Sequence, residues 1–260
     1  MNILFTVCGR AGSKGVKNKN LRCFCGVPLV YYSLAAIKLY MEQYGENKAG
    51  WHMDVVLNTD SKELISLVDR QLLVTVEIIH REAKLGGDTV SKVSVIRDCL
   101  IKMEKNKEFR YDMVVDLDIT SPLRTVDDVK NVIEKKWLRK DTDVVYSVVH
   151  SRRNPCFNMV KEENGFFVKA ISSDYTARQQ APVFYDMNAS IYAYSPYALK
   201  NKKDNIFFND NADAVIMRDT AVLDIDSEED FELMQIIAEY LFRKDKALNQ
   251  VYVKAYNGKI

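Results

Sequence analysis

The sequence predicts an α/β fold, a mostly parallel β-sheet with helices on both faces. The first observation is that short apolar runs rich in β-branched residues alternate with longer segments of helical periodicity. The second is that Ser and Thr residues precede several helical segments, where they act as N-caps. Such an alternation is typical of parallel strands joined by crossover helices.

The elements follow one another in the order that a Rossmann-like sheet requires. Ser61 is the predicted N-cap of the second helix, and Thr125 with Asp128 forms a capping box before the fourth. In order, we predict a strand at 3–8, a helix at 29–44, a strand at 54–59, a helix at 63–70, a strand at 74–80, a helix at 92–103, a strand at 113–117, a helix after Thr125 and a strand at 144–149.

The alternation breaks between residues 151 and 186, where Asn, Pro, Gly and mixed residues dominate. We predict a small hairpin-like excursion from the sheet that acts as a dimerisation arm. Strands at 189–194 and 221–225 return to the core, and Ser227 with Asp230 caps a closing helix that ends near residue 242. Because no repeat or low-complexity linker occurs, residues 1–260 are predicted to form a single domain.

Composition and charge limit the classes of function. The chain has 37 basic and 36 acidic residues, so its net charge of +1 predicts neither a nucleic-acid nor a membrane partner. The five cysteines and three histidines show no zinc spacing, and an odd cysteine count is typical of a reducing compartment. Without a signal-like start or a long apolar stretch, we expect a cytoplasmic protein.

The loop after the first strand has the composition of a polyphosphate-binding site. Gly9, Gly12 and Gly15 stand three residues apart, so the backbone can turn and present N–H groups to an anion. A triphosphate carries roughly four negative charges, and several charge-assisted donors are needed to bind it. The spacing differs from the P-loop and dinucleotide fingerprints, and a solvated basic loop is the alternative. The cations of this loop are Arg10, Lys14, Lys17, Lys19 and Arg22.

Two pairs of acidic residues stand at predicted strand ends. Alternation along a strand puts Asp224 and Asp226 on one side, where two carboxylates can hold Mg²⁺ while phosphate and water complete its shell. Capping of the next helix is the alternative role. Asp116 and Asp118 alternate in the same way, so a second metal-binding group is conceivable there. The segment 120–124 then offers hydroxyl and guanidinium donors.

Taken together, these segments resemble the CMP-sialic acid synthetase (acylneuraminate cytidylyltransferase) family, which includes CMP-legionaminic acid-type synthetases. Segments 10–15 and 19–21 resemble its R-x-G-S-K-G and K-N signature, 120–124 its T-S-P-L-R, and 224–226 its D-I-D. Segments 81–89, 178–182 and 188–192 resemble three further motifs of the family, in the same order.

The resemblance implies a homodimeric, Mg²⁺-dependent transfer of CMP from CTP to the anomeric hydroxyl of an acidic sugar, with release of pyrophosphate. The hydroxyl would attack the α-phosphorus in line, with no covalent intermediate. The implied catalytic residues are Arg10, Lys14, Lys19 and Asp226, and Asp224 with Asp226 would bind the metal. The implied nucleotide-binding residues are Arg10, Gly12, Ser13, Lys14, Lys19, Asn20, Arg81 and Ser91. The implied sugar-binding residues are Asp118, Thr120, Ser121, Arg178, Asn188 and Tyr192.

This chain departs from the family pattern at four positions. Asp118 stands where the family usually has Gln, and it would repel an acidic sugar unless a cation intervened. Asn158 replaces a Lys, Ala189 replaces a Gly, and Lys92 stands near an expected Ser. These changes leave two alternatives open, a sugar-1-phosphate nucleotidyltransferase that uses another nucleotide and a non-catalytic relative. The intact Lys14, Lys19 and acidic pair disfavour the second.

Overall fold

The computed structural model describes residues 1–12, 16–45, 50–87, 89–208, 211–223 and 225–259. Its strands are β1 (Asn2–Cys8), β2 (Cys23–Phe24), β3 (Val27–Pro28), β4 (His52–Thr59), β5 (Glu77–His80), β6 (Met113–Leu117), β7 (Val144–His150), β8 (Val160–Glu163), β9 (Phe166–Lys169), β10 (Tyr185–Tyr194) and β11 (Ala212–Ile216). Its α-helices are α1 (Leu29–Tyr40), α2 (Lys62–Asp69), α3 (Lys92–Lys107), α4 (Val126–Leu138), α5 (Pro196–Asn201), α6 (Glu228–Lys244) and α7 (Lys246–Asn257).

Seven of these strands form one sheet in the order β11-β7-β10-β6-β1-β4-β5. All neighbouring pairs are parallel except those of β10, which runs antiparallel to both β6 and β7. The predicted α/β class with a mostly parallel sheet is therefore confirmed. Because β1 and β6 are adjacent and parallel, the loops that follow them leave the sheet at the same edge.

The two faces of β1 pack against different helices. Ile3, Phe5 and Val7 are fully buried in the larger core cluster, which contains residues of α1, α4, α6 and α7. Leu4 points the other way and joins the cluster built with α3. The alternation of a strand places Thr6 on the same face as Leu4, directed at α3. Polar chemistry next to α3 thus arises from the second face of the central strand.

The structure corrects the prediction of a strand at 221–225, because of its described residues neither 221–223 nor Ile225 belongs to a strand. The chain there makes a 3₁₀ turn, Asp219–Val222, in which the N–H of Ala221 donates to the carbonyl of Arg218 at 3.0 Å. Ile225 is nevertheless fully buried, so the apolar pattern reflected burial rather than pairing. The outer strand beside β7 is β11 instead. The predicted first helix also ends earlier, at Tyr40, and is followed by a π-helical turn.

The excursion contains the predicted hairpin, formed by β8 and β9. Its turn residues, Asn164 and Gly165, have φ angles of 55° and 82°, the positive values that a tight two-residue hairpin turn uses. Every residue of β8 and the first three of β9 are exposed. The hairpin therefore lies outside the core of the main sheet.

Within the described ranges, no helix has both the length and the apolar composition that crossing a bilayer requires.

Candidate active site

A cleft of about 380 Å³ opens at the carboxyl edge of the sheet, where the chain leaves β1 and β6. Open parallel sheets bind ligands at this edge. The cleft joins the loop after β1, the start of α3, the segment after β6 and the residue before Ser227. Its lining consists of Cys8, Arg10, Lys19, Asn20, Arg81, Leu85, Gly87, Val90, Lys92, Val95, Asp118, Thr120 and Asp226.

The loop after β1 is fixed to the end of β4. The N–H of Gly9 donates to the carbonyl of Asn58 at 3.1 Å, and the N–H of Ala11 donates to Asp60 Oδ1 at 2.7 Å. A Cβ at Gly9 would lie 2.7 Å from Leu64 Cδ2 and 2.9 Å from Ile119 Cδ1, so a larger residue would have to displace these side chains. Gly12 has a φ of +71° and lies in the left-handed region, as its predicted turning role requires. The candidate residues Ser13 and Lys14 lie outside the described residues.

Lys19 joins the basic loop to the acidic segment before α6. Its Nζ donates to the carbonyl of Ile225 and lies 3.4 Å from Asp226 Oδ1. Asn20 Nδ2 donates to the carbonyl of Arg10 at 3.1 Å, which fixes the neighbouring cation. The structure therefore brings predicted phosphate-binding and metal-binding residues to one cleft. Asp224, the second predicted metal ligand, lies outside the described residues.

Arg81 and Ser91 belong to the stretch of chain between β5 and α3. Arg81 lines the cleft and is fixed by Asn58, because its Nε donates to Asn58 Oδ1 at 2.7 Å and its Nη2 to the carbonyl at 3.1 Å. Ser91 is the N-cap of α3, and its Oγ accepts a hydrogen bond from the N–H of Val93 at 3.1 Å. A capping role thus accounts for Ser91, whose predicted contact with the nucleotide stays a prediction.

A buried charge cluster forms the floor of the cleft. Lys92 Nζ lies 2.6 Å from Asp118 Oδ2 and 2.7 Å from Asp116 Oδ2. The other oxygen of Asp116 accepts from Thr6 Oγ1 at 2.7 Å, and Asp118 Oδ1 accepts from both the N–H and the Oγ1 of Thr120 at 2.9 Å. The ammonium of Lys92 therefore lies at the position that a metal ion bound by the two carboxylates would take.

The charges of this cluster control one another's protonation. Burial by itself raises the pKa of Asp118, but the ammonium of Lys92 and the donors of Thr120 outweigh it and lower that pKa to about 2. Burial likewise opposes the charged form of Lys92, yet Asp116 and Asp118 together raise its pKa above the ordinary value. Asp118 is consequently an ionised hydrogen-bond acceptor and a very weak base.

A buried arginine fixes the backbone of the segment after β6. Arg124 is 1% exposed, its Nε donates to the carbonyl of Ser121 at 3.0 Å, and its Nη2 donates to the carbonyls of Asp118 and Ser121. Burial lowers the pKa of Arg124 to about 10. Ser33 of α1 also donates to the carbonyl of Asp118, at 3.0 Å. Arg124 thus shapes the loop, Thr120 lines the cleft, and Ser121 is buried.

Besides the buried Ser121, three more predicted sugar-binding residues lie outside the described lining of the cleft. Tyr192 is 9% exposed and stacks on Tyr194 with ring centroids 6.0 Å apart, and burial raises its pKa to about 12. Asn188 is buried, and its Oδ1 accepts from Ser147 Oγ at 2.6 Å. Arg178 lies on an exposed turn of the excursion and donates to the carbonyl of Arg152. Their contact with a sugar stays a prediction.

The sequence reasoning did not assign Cys8 or Lys92 to the site. Cys8 is the last residue of β1, and alternation places it on the same face as Thr6, which could have identified it. A hydrogen bond to Cys99 and burial raise the pKa of the Cys8 thiol well above its ordinary value, so the thiol is neutral. Lys92 opens α3, where a cation opposes the helix dipole, and this unusual placement was an available signal.

The chain matches one protein family model and is similar to several characterised proteins. A family model described as "Cytidylyltransferase" matches residues 4–251. The chain is 36% identical to the "Post-translational flagellin modification protein B" of Campylobacter coli, over 90% of this chain and 94% of that relative. It is also 36% identical to the "CMP-N,N'-diacetyllegionaminic acid synthase" of Campylobacter jejuni, over 90% and 94% of the two chains.

The fold has a counterpart among solved structures. The structure of a CMP:2-keto-3-deoxy-manno-octonic acid synthetase complexed with CTP superimposes with a TM-score of 0.61. It covers 92% of this chain and 99% of that chain, at 14% identity. This likeness supports the architecture of the sheet and the helices around it.

Proposed function

Since this chain belongs to the cytidylyltransferase family, we propose that it transfers CMP from CTP to the anomeric hydroxyl of a nonulosonic acid and releases pyrophosphate. The family match and the similar relatives confirm the resemblance to acylneuraminate cytidylyltransferases, and they show that the chain is a nucleotidyltransferase. The observation that carries the proposal is the approach of Lys19 to Asp226 beside Arg10, since it puts cations and a carboxylate around one polyphosphate-sized cleft.

At the nucleotide end, we assign the triphosphate to Arg10 and Lys19, with Ser13 and Lys14 extending the same loop. Arg10 and Lys19 line the cleft and carry positive charge, and Asn20 donates to the carbonyl of Arg10. Guanidinium and ammonium donors stabilise the charge that develops on a departing pyrophosphate. Arg81 is held rigid by Asn58 and is the proposed contact for the nucleoside.

We propose Mg²⁺ as the cofactor, held by Asp226 together with Asp224. The side chain of Asp226 is 77% exposed and lines the cleft. This supports a cation that takes one or two carboxylates from the protein and the rest of its ligands from phosphate and water, as Mg²⁺ does. When bound, the ion would offset negative charge on the phosphates.

At the acceptor end, the segment after β6 receives the sugar. Asp118 has a pKa of about 2, so it is unsuited to remove the proton of the attacking hydroxyl. We assign it instead to accept hydrogen bonds from the sugar and to orient the anomeric hydroxyl toward the α-phosphorus. Thr120 fixes Asp118 by two hydrogen bonds at 2.9 Å and lines the same cleft.

We also propose that the protein is a cytoplasmic homodimer. The β8–β9 hairpin exposes Phe166 and Phe167 by 74% and 75%, and a second subunit would cover them. All five cysteines are free thiols, which is consistent with a reducing compartment. Arg178 belongs to the same excursion and could then contribute at the partner's cleft.

An assay of the purified chain with CTP, Mg²⁺ and a panel of nonulosonic acids tests the reaction. We expect a CMP-sugar and pyrophosphate from at least one acid, detected by liquid chromatography. Asp226→Asn should lower kcat by about 100-fold or more, as loss of transition-state charge stabilisation does. Glu229→Gln, an exposed change three residues away, is the matched control and should retain activity.

Nucleotide preference provides the second part of this test. CTP should raise the melting temperature more than UTP, ATP or GTP, because only a nucleotide that binds the native state stabilises it. A larger shift with GTP, together with no CMP-sugar from any acid, would favour the sugar-1-phosphate nucleotidyltransferase instead.

A further inference from the structure

The charge cluster on the floor of the cleft combines side chains from two elements. Asp116 and Asp118 come from β6 and the residue after it, and Lys92 comes from the first position of α3. The side chain of Asp116 is 0% exposed, that of Asp118 is 21% exposed, and that of Lys92 is 33% exposed. Lys92 and Asp118 line the cleft, whereas Asp116 lies beneath them.

Two carboxylates that contact the same ammonium need a positive charge or a proton to offset their repulsion. Both Oδ2 atoms lie within 2.7 Å of Lys92 Nζ, and without that ammonium two like charges would share a buried site. Such a pair is stabilised by a proton or by a divalent cation, whose oxygen ligands lie about 2.0–2.6 Å away.

The dipole of α3 disfavours a positive charge at Lys92, and the two carboxylates of the cluster offset this unfavourable interaction. A cation in the first turn of a helix opposes the helix dipole, and α3 has no acidic residue in its first turn. Lys92 therefore owes its favourable charge environment to Asp116 and Asp118. Its side chain is 33% exposed and lines the cleft.

The same contact connects two departures from the family pattern. Asp118 replaces a Gln and Lys92 stands near an expected Ser, and the structure joins the two side chains at 2.6 Å. The uncharged Gln and Ser of the family pattern are thus replaced by Asp118 and Lys92, whose opposite charges offset each other. Oδ1 of Asp118 accepts two hydrogen bonds from Thr120 and Oδ2 accepts one from Lys92, and a carboxylate oxygen can accept two, so Oδ2 has capacity for one more.

We propose that Lys92 is a positioning residue for the acceptor, a fixed cation of the protein that takes the place of a metal ion between Asp116 and Asp118. It holds Asp118 in one orientation and offsets its charge, so that the carboxylate can bind the hydroxyls of a sugar that is itself anionic. The part that concerns the acceptor rests on the proposed function. The part that concerns the cation position does not.

Metal binding to the free protein tests the cation position without any turnover. Lys92→Met should bind one more Mn²⁺ per chain than the unchanged protein, measured by electron paramagnetic resonance and calorimetry. The added site should disappear in Lys92→Met/Asp118→Asn. Lys102→Met is the control, because Lys102 lies on the same helix and pairs with Glu82 and Asp98 near the surface. An unchanged Mn²⁺ stoichiometry in folded Lys92→Met would overturn this assignment.

Steady-state kinetics tests the acceptor role through a double-variant cycle. Lys92→Ser should raise the KM for the acid about 10- to 100-fold, since it leaves two carboxylates without their partner, and should change the KM for CTP far less. Lys92→Ser/Asp118→Gln should return the KM to within about threefold of the starting value. Additive losses in the double variant would overturn the acceptor role. If no acid is activated at all, the proposed function fails, whereas the Mn²⁺ result still stands.

Discussion

At the scale of single residues, Ala189 shows what one methyl group does to the backbone. It has a φ of 50° and lies where the register of β10 shifts between Met187 and Tyr192. An L-residue in this left-handed region costs about 1–2 kcal/mol relative to glycine. The family motif has Gly here, and the bulge explains the preference, because glycine adopts positive φ without strain.

We therefore predict that Ala189→Gly raises the free energy of unfolding by about 0.5–1 kcal/mol. Relief of strain should exceed the added entropy of the unfolded chain, which works in the opposite direction. Urea denaturation followed by circular dichroism measures the change.

Ala193 provides the matched control for this substitution. It lies in the same strand, is fully buried, and is absent from the described residues with positive φ. Ala193→Gly should lower the free energy of unfolding by about 1 kcal/mol. If both variants were equally destabilised, the strain at Ala189 would be refuted.

At the scale of elements, the β8–β9 hairpin exposes apolar side chains on both faces. Phe166 and Phe167 are adjacent in β9, so their rings point to opposite faces of the two-stranded sheet. An isolated hairpin is marginally stable in water, and two exposed aromatic rings leave apolar area uncovered. A second subunit would stabilise the hairpin by covering this area.

We predict that Phe166→Ser/Phe167→Ser converts the proposed dimer into a monomer. Light scattering coupled to size-exclusion chromatography should give twice the chain mass for the unchanged protein and the single chain mass for the variant. Leu72→Ser is the control, because Leu72 is 71% exposed but lies far along the chain from the hairpin, after α2. A monomeric unchanged protein would contradict the dimerisation arm.

At the scale of the whole molecule, the sheet topology assembles the site from distant parts of the chain. Lys19 and Asp226 are 207 residues apart in sequence, and Lys92 and Asp118 are 26 apart. Parallel pairing of β1 with β6 brings their loops to one edge, and α3 packs on one face of these strands with its first residue, Lys92, in the cleft at that edge. The buried charge cluster therefore exists only in the folded state, and its protonation is coupled to global stability.

We predict that the free energy of unfolding decreases at acidic pH and that part of this decrease depends on Asp118. Its pKa falls from an ordinary 3.8 to about 2 on folding, so its contribution is complete above about pH 4 and is lost as pH decreases toward 2. Between pH 4.5 and 3, Asp118 should bind up to about one more proton in the unfolded chain than in the folded protein. Asp118→Asn should consequently lose less stability over this interval than the unchanged protein.

Urea unfolding at several pH values measures this difference. Asp174→Asn, which alters an exposed loop carboxylate, should follow the unchanged protein throughout. Parallel curves for Asp118→Asn and the unchanged protein would show that the Lys92–Asp118 pair does not stabilise the fold.

The sequence by itself determined the features that depend on local interactions. The capping boxes of Thr125 with Asp128 and of Ser227 with Asp230 are both present, because their partners are three residues apart. Strand–helix alternation predicted the sheet, and glycine spacing predicted the turn after β1. Asn164-Gly165 would have located the hairpin turn as well, since that dipeptide favours positive φ at both positions.

Only the tertiary structure decided which apolar runs pair as strands and which charges meet. Residues 221–225 read as a strand because Ile225 is buried, but a short apolar run does not distinguish burial from pairing. From the sequence, Asp118 was expected to repel an acidic sugar. In the folded protein, Lys92 Nζ of α3 lies 2.6 Å from Asp118 Oδ2 and offsets its charge. The reason is physical: capping and turns depend on neighbours within a few residues, whereas the charge balance of a buried site depends on groups that folding brings together from separate elements.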